Sequence, residues 1–162
     1  LWLRPFPVRH NVPANGYVVL RRVRKLKPEF VDLPPQELER LRQDAPDQVF
    51  DLVETPLAAV AGDSLAEGVP FNDPLVRSAQ TLFLDCTFVD ARRTVEHAHL
   101  GGHAHLVELV PLLSGLGCEH IVLYHFSQIY RPDEIEAAVA ARLSPDVISR
   151  IHLWLPEEGD RL

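Results

Sequence analysis

An apolar run that ends in a carboxylate stands in the middle of the chain, Thr81-Leu82-Phe83-Leu84-Asp85-Cys86-Thr87. Its first part is typical of a buried strand, and the polar residues that follow mark the strand's carboxyl end. The same design recurs where Ala58-Ala59-Val60-Ala61 leads into Gly62-Asp63-Ser64, and where His120-Ile121-Val122-Leu123-Tyr124 leads into His125. In layered α/β folds, catalytic groups collect at such strand ends. The pattern therefore predicts an α/β protein with a polar site at one edge of its sheet.

The rest of the chain alternates between strand and helix patterns. Residues 2–8 and 16–23 predict a hairpin, because an Asn- and Gly-containing turn separates them. Helices are predicted over 34–42, 103–116 and 132–143, and further short strands over 49–53 and 151–155.

Length and composition indicate a folded domain that is part of a larger protein. The 162 residues, 46% of them hydrophobic, suffice for one core. The chain opens at Leu1 and contains no methionine, so we expect a processed or excised chain, with further strands of the sheet encoded upstream. Cys86 and Cys118 lie in apolar surroundings and predict free buried thiols. No apolar run approaches ~18 residues, so we expect no membrane span and a cytoplasmic location.

Charge is unevenly distributed along the chain. Residues 1–28 carry seven basic residues and no acid, whereas the remainder carries nine bases and 23 acids, so +7 and −14 give the net charge of −7. The basic segment could contact phosphates of a nucleic acid, and a solvated strand end is the alternative. The acidic remainder argues against a protein that coats nucleic acid indiscriminately.

Six of the eight histidines lie between residues 96 and 125. Imidazole binds borderline metals and transfers protons near neutral pH, so the clustering indicates a metal-assisted hydrolytic site, with a solvated polar loop as the alternative. Carboxylate and imidazole together suit zinc or manganese better than copper or an iron–sulfur centre. The candidate site residues, which stand after strands or beside turns and glycines, are His10, Asp63, Asp85, His103 and His125.

Several short motifs occur in an order that resembles a known family. They are His10 before Gly16-Tyr17, then Lys25-Leu26-Lys27-Pro28-Glu29-Phe30, Gly62-Asp63-Ser64, Asp85-Cys86-Thr87, Gly102-His103 and His125-Phe126-Ser127-Gln128-Ile129-Tyr130. Over roughly residues 4–131, the chain resembles the C-terminal half of a metallo-β-lactamase-fold hydrolase of the ribonuclease Z type. The resemblance implies a four-layer αβ/βα sandwich, of which residues 1–162 supply the C-terminal half.

The resemblance also implies a role for each candidate. His10 and His125 are expected to bind one metal each, and Asp63 to bridge the two, which are most simply zinc ions, with manganese possible. His103 is expected to donate a proton and Asp85 to orient its ring, although the family usually has a glutamate at the position of Asp85. No cofactor site other than the metal site is expected. His97, His99 and His105 have no counterpart in the family, and we interpret them as part of a solvated loop.

Two departures from the family pattern affect these expectations. The family's His-x-His-x-Asp-His motif, which supplies most metal ligands, does not occur in residues 1–162, so an upstream segment or a second chain is expected to complete the site. Ile129 stands where the family usually has a basic residue, so a substrate phosphate contact is lost and tRNA processing is in question.

Two classes of function therefore stay open. One is a metal-dependent hydrolase, an RNA phosphodiesterase or endonuclease that uses a water activated by two metals, or a hydrolase of another small phosphodiester or ester. The other is a catalytically silent module that retains the fold for binding or scaffolding. A homodimer, which the exposed hairpin could support, is compatible with either class.

Overall fold

A computed structural model describes residues 1–155 of the chain. Its centre is a six-stranded sheet in which the strand order follows the chain order. The strands are β1 (Trp2–Val8), β2 (Ala14–Leu26), β3 (Phe50–Val60), β4 (Thr81–Asp85), β5 (His120–Tyr124) and β6 (Ile151–Leu153). β1, β2 and β3 pair antiparallel, and β3, β4, β5 and β6 pair parallel. The predicted α/β class and the predicted hairpin are confirmed.

Seven helices connect or flank the strands. They are α1 (Pro35–Asp44), α2 (Pro46–Val49), α3 (Pro74–Arg77), α4 (Val95–Gly101), α5 (Leu106–Leu113), α6 (Pro132–Ala140) and α7 (Pro145–Ile148), and two short 3₁₀ turns lie at Pro28–Phe30 and Ala66–Gly68. None of the helices within residues 1–155 is both long and apolar enough to cross a membrane.

The two strands predicted over 49–53 and 58–61 form one strand, β3. Pro56 lies inside it and has no N–H to donate, which is why the sequence suggested a break. The sheet accommodates this position with a shift of register, because Val19 pairs with Ala58 whereas Leu20 pairs with Pro56. The extra residue, Leu57, makes a β-bulge that preserves the long antiparallel pairing on both sides.

The helix predicted over residues 103–116 is present but shorter, as α5 (Leu106–Leu113), and a second helix precedes it. Residues 95–101 form α4, which the sequence analysis treated as loop, and α5 begins only at Leu106. Thr94 accepts a hydrogen bond from the His97 N–H at the start of α4, and Gly102 ends the helix in the left-handed conformation with φ 81°. These are ordinary start and stop signals, so the helix could have been predicted from them.

The core lies against one face of the sheet. Alternate residues of β4 and β5, Leu82 and Leu84 with Ile121 and Leu123, are fully buried and join α5 and α6 in one hydrophobic cluster. Cys86 and Cys118 are buried free thiols in the same cluster, as predicted. Residues on the opposite face form a cross-sheet row of half-buried or exposed side chains, Tyr17, Val60, Phe83, Val122 and His152. One face of the sheet is therefore packed against the hydrophobic core, and the other is only partly buried. This difference matches a chain that forms part of a layered fold.

The basic segment at the start of the chain lies largely on β2, opposite acidic residues. Arg22 pairs with Glu54 and its guanidinium lies 4.3 Å from the centre of the Trp2 ring. Lys27 lies 3.9 Å from Asp51. Much of the positive charge is thus compensated within the hairpin formed by β2 and β3, which favours the solvated-strand interpretation over a phosphate-binding stripe.

Candidate metal centre

The carboxyl ends of three neighbouring strands bring the predicted polar residues together. Asp63 follows β3, Asp85 is the last residue of β4, and His125 follows β5. Because β3, β4 and β5 pair in parallel, these ends lie at the same edge of the sheet. His103 reaches this edge from the turn between α4 and α5.

Three of these side chains are close enough to share one ion. Asp63, His103 and His125 each offer a ligand atom, and these atoms lie within 4.8 Å of one another. The Nε2 atom of His125 is 3.6 Å from a carboxylate oxygen of Asp63. Imidazole and carboxylate are a donor set that zinc and similar divalent ions accept, so the residues present fit a metal.

Asp85 lies beneath this group and is only 2% exposed. One carboxylate oxygen accepts hydrogen bonds from the Thr87 N–H at 2.9 Å and the Thr87 hydroxyl at 2.6 Å. The other accepts from the Ser64 N–H at 3.2 Å and lies 2.8 Å from Nδ1 of His103. A buried carboxylate needs such partners to offset its desolvation. The predicted contact between Asp85 and His103 is present.

The hydrogen bonds of Asp85 also orient His125. The Thr87 hydroxyl donates its proton to Asp85, so its oxygen is left to accept from Nδ1–H of His125 at 2.9 Å. His103 likewise directs Nδ1–H towards a carboxylate that can only accept. In both rings Nδ1 carries the proton, and the lone pair of the neutral imidazole is therefore on Nε2.

His10 is oriented in the same way by a backbone carbonyl. Its Nδ1 lies 2.9 Å from the Gly102 carbonyl oxygen, which accepts the proton and leaves Nε2 with the lone pair. A Cβ at position 102 would approach Nδ1 of His10 to 2.4 Å, and φ at this position is 81°. Glycine is therefore required there both by the backbone conformation and by the contact with His10.

The structure places His10 beside the three-residue group rather than within it. The His10 ring centre is 5.4 Å from that of His103, and the His103 ring stacks on His125 at 4.9 Å. Among residues 1–155 the close donor set is Asp63, His103 and His125, whereas the sequence analysis grouped His10, Asp63 and His125 as metal ligands. The assignment of His10 as a ligand and of His103 as proton donor stays a prediction.

His125 has a backbone conformation that is rare for a residue with a side chain. Its φ is 64°, in the left-handed region, which non-glycine residues enter at a cost of about 1–3 kcal/mol. Such conformations cluster at functional sites. Here the unusual backbone lies directly after β5, at the residue whose Nε2 approaches Asp63.

The solvated-loop interpretation of His97, His99 and His105 is wrong for His105, which is buried, and His97 and His99 lie on a helix, although His97 is exposed. His97 and His99 belong to α4, and the ring of His97 packs edge-on against Phe88. Nε2 of His99 lies 2.6 Å from a carboxylate oxygen of Glu108. His105 is only 3% exposed, and its Nδ1 accepts from the Val107 N–H at the start of α5. His99 and His105 thus support the two helices on either side of the turn that presents His103.

Two protonated groups flank the site. Burial, with the charges of Asp85 and Asp63, raises the pKa of the Tyr124 hydroxyl to about 12. Burial beside Asp85 also raises the pKa of the Cys86 thiol. Both groups are therefore neutral at physiological pH and add no negative charge to the site.

An open cavity of about 450 Å³ adjoins the centre. It is lined by Tyr124, His125, Phe126, Gln128, Trp154 and Leu155. His125 belongs both to the donor group and to the cavity wall, so a molecule in the cavity would lie next to the metal centre.

Sequence reasoning missed Thr87, Gly102's contact with His10, and the aromatic residues of the cavity. A local signal existed for Thr87, because an aspartate followed two residues later by a hydroxyl side chain is typical of an Asx turn. The other contacts join segments far apart in the chain, and local spacing carries no signal for them.

The sheet topology and the polar edge match a known fold. The metallo-β-lactamase fold protein YhfI of Bacillus subtilis superposes with a TM-score of 0.53 at 10% identity, over 93% of this chain and 45% of that protein. The chain therefore has a metallo-β-lactamase fold, of which it covers a part. No family profile matches the sequence.

Two proteins with similar sequences indicate which kind of metallo-β-lactamase-fold protein the chain resembles. The chain is 33% identical over 152 residues to tRNase Z TRZ1 of Arabidopsis thaliana, which covers 93% of this chain and 54% of the relative. It is 30% identical over 139 residues to the chloroplastic tRNase Z TRZ2 of the same plant, over 85% of this chain and 39% of the relative. The sequence is thus similar to two tRNase Z proteins, as its motifs predicted, and the chain spans about half or less of the length of these relatives.

Proposed function

We propose that the intact protein is a metal-dependent phosphodiesterase of the ribonuclease Z type that cleaves RNA. The observation that carries this proposal is the common orientation of His103 and His125. Both rings hold their Nδ1 proton against an acceptor of the chain and leave Nε2 free beside Asp63. Rings fixed in this way are ready to bind a metal or to transfer a proton, and a solvated histidine is not.

Zinc is the metal that we propose, with manganese as the alternative. Asp63 and His125 would hold it, together with His103 or His10, since each offers a carboxylate oxygen or a free Nε2. Bound divalent ions would lower the pKa of water and neutralise charge on a phosphodiester.

His103 would act at its Nε2 atom, because Asp85 holds its Nδ1 proton at 2.8 Å. A carboxylate at that distance fixes the orientation of the ring. The protonated ring could then donate from Nε2 to the departing oxygen of the substrate. Asp85 would contribute by orienting His103. The burial of Asp85 keeps water from replacing the contact between the two side chains.

The three close donors are fewer than two zinc ions require, since each zinc takes about four ligands. We therefore propose that a complementary half of the fold, on an upstream segment or a second chain, supplies the remaining ligands. The half-buried side chains on the face of the sheet opposite the core are compatible with such a partner. A homodimer and a cytoplasmic location are further parts of this proposal.

The substrate that we propose is precursor tRNA, because both relatives are named tRNase Z. The test uses the intact protein and a precursor tRNA labelled on its 3′ extension. We expect cleavage that requires a divalent ion and is abolished by Asp63→Ala. Binding of the precursor without cleavage in any of several divalent ions would instead support the silent binding module. Cleavage confined to small phosphodiesters or other esters would support the hydrolase of a different substrate.

A further inference from the structure

The cavity beside His125 has walls that suit a flat aromatic ring. Three of its residues are aromatic, Tyr124, Phe126 and Trp154, and Gln128 adds an amide with both donor and acceptor atoms. Its volume of about 450 Å³ lies within the range of small-molecule sites and exceeds that of one nucleobase.

Trp154 is the most unusual of these residues. It follows β6 directly, and its N–H donates to the Leu123 carbonyl of β5 at 2.9 Å, which fixes the backbone. Its side chain is nevertheless 66% exposed, so a large aromatic surface faces solvent at a rigid position. An exposed ring on a fixed backbone next to a reactive site suits stacking of a ligand ring, since the backbone needs little ordering on binding.

We propose that this cavity is a nucleobase subsite, in which Trp154 stacks on an unpaired base of the nucleotide next to the scissile phosphate. The proposal rests on the proposed RNA phosphodiesterase function and adds to it the recognition of a single-stranded, unstacked nucleotide. His125 places the cavity next to the metal centre, because this residue lines the cavity and also belongs to the donor group. A phosphate at the metal centre would therefore place the adjoining base within reach of the Trp154 ring.

The chemistry of the walls favours a base over an acyl chain. Aromatic faces attract other π-systems through stacking, which tolerates any base, and the Gln128 amide can bond to a base edge. An acyl chain would leave the amide unused. No cationic side chain is among the lining residues, so the backbone phosphates would be held at the metal centre and not in the cavity.

The test measures binding separately from cleavage. Fluorescence anisotropy would give the affinity of the metal-loaded intact protein for labelled penta-adenylate and for an abasic ribose-phosphate pentamer of equal charge, both built with hydrolysis-resistant phosphorothioate linkages. We expect the base-bearing probe to bind roughly 5- to 100-fold more tightly, as stacking of one base provides. Trp154→Ala should reduce this ratio to near one, and Trp154→Phe should retain part of it.

Trp2→Ala is the matched control, because Trp2 is also an exposed tryptophan but lies on β1, at the opposite edge of the sheet from β6. It should leave the ratio unchanged. An equal affinity of the unmodified protein for both probes would overturn the subsite, as would a ratio that survives Trp154→Ala. A preserved ratio in a protein that cleaves no RNA would overturn the proposed activity and leave the base subsite standing.

Discussion

Asp85 accepts hydrogen bonds from Ser64, Thr87 and His103 while it is almost completely removed from water. Through Thr87 it also fixes the ring of His125. A change at Asp85 would disturb all of these groups at once, because each would lose a partner inside the protein. Thr87 is the better residue to change, since its hydroxyl contacts only Asp85 and His125 among these groups.

We expect Thr87→Val to weaken metal binding while the fold persists. The substitution keeps the shape of the side chain but removes the hydroxyl between Asp85 and Nδ1 of His125. The free energy of unfolding should fall by about 1–3 kcal/mol. Metal affinity should fall by about 10–100-fold. Denaturant unfolding and metal titration measure these two effects.

Thr87→Ser is the control, because it retains the hydroxyl and should keep most of the metal affinity. If Thr87→Val binds metal as tightly as the unmodified protein, the hydroxyl does not orient His125.

His103 and Asp63 should respond differently to truncation in the intact protein. If His103 is the proton donor, His103→Ala should keep its metal and lose turnover by about 10²–10⁴-fold. Asp63→Ala should lose metal and turnover together, because a metal-bridging carboxylate would be removed. Activity assays with elemental analysis of the purified variants distinguish the two.

The proximity of His103 to Asp63 and His125 makes the opposite outcome informative. Loss of metal from His103→Ala as severe as from Asp63→Ala would identify His103 as a ligand. The proton donor would then have to be another group, and His10, 5.4 Å from His103 between ring centres, would be the first to test.

At the scale of the element, the regular strands were the most predictable part of the fold. β1 and β5 have the bounds that the sequence predicted. Alternate residues of β5 are buried, whereas Phe6 is the one fully buried residue of β1. β3 was divided in the prediction, since Pro56 is a local signal for a break and the bulge that accommodates it depends on the partner strand. α4 was missed because its histidines suggested a polar loop.

The site was predictable to the extent that it lies at strand ends. Asp63, Asp85 and His125 could be proposed from local pattern, and the structure brings them to one edge. The orientation of the imidazole rings could not be predicted from the sequence. It depends on a contact with Thr87 for His125 and with the Gly102 carbonyl for His10. Sequence pattern locates reactive groups, whereas tertiary hydrogen bonds decide which nitrogen faces the metal.

The start of α6 should make stability depend on pH in acid. Glu134 accepts a hydrogen bond from the Arg131 N–H at 2.7 Å, and this bond, with the Arg92 side chain, lowers the pKa of Glu134. Hydrogen bonding to the Arg92 side chain likewise lowers the pKa of Asp90. A lowered folded pKa stabilises the fold above the unfolded value, and this stabilisation is lost as the pH falls through the folded value.

We therefore expect the free energy of unfolding to decline as the pH falls below the ordinary values of 4.5 for Glu134 and 3.8 for Asp90. Glu134→Gln should be less stable than the unmodified protein near neutral pH and should show a shallower decline. Denaturant titrations between about pH 6 and pH 3 would measure both slopes. Equal slopes would mean that this carboxylate is no better bonded in the folded state than in the unfolded one.

At the scale of the whole molecule, the described residues 1–155 contain one group of close donors. Asp63, His103 and His125 lie together, and His10 lies alongside. Two zinc ions need about four ligands each, including any water. We expect the 162-residue chain alone to bind at most one divalent ion tightly, and the chain joined to its complementary half to bind two.

Native mass spectrometry after metal loading would count the ions. Asp63→Ala serves as the control for specific binding in both forms. Two tightly bound ions in the isolated chain would contradict the need for a complementary half.

The agreement between strand order and chain order bears on how the protein is made. Each new strand adds to the edge formed by the strand before it, so the sheet can grow during synthesis without waiting for distant segments. Asp63 and Asp85 reach their positions once β4 has paired, but His125 arrives only when β5 has emerged and joined. Within this chain, the group formed by Asp63, His103 and His125 is therefore complete only after β5 has paired.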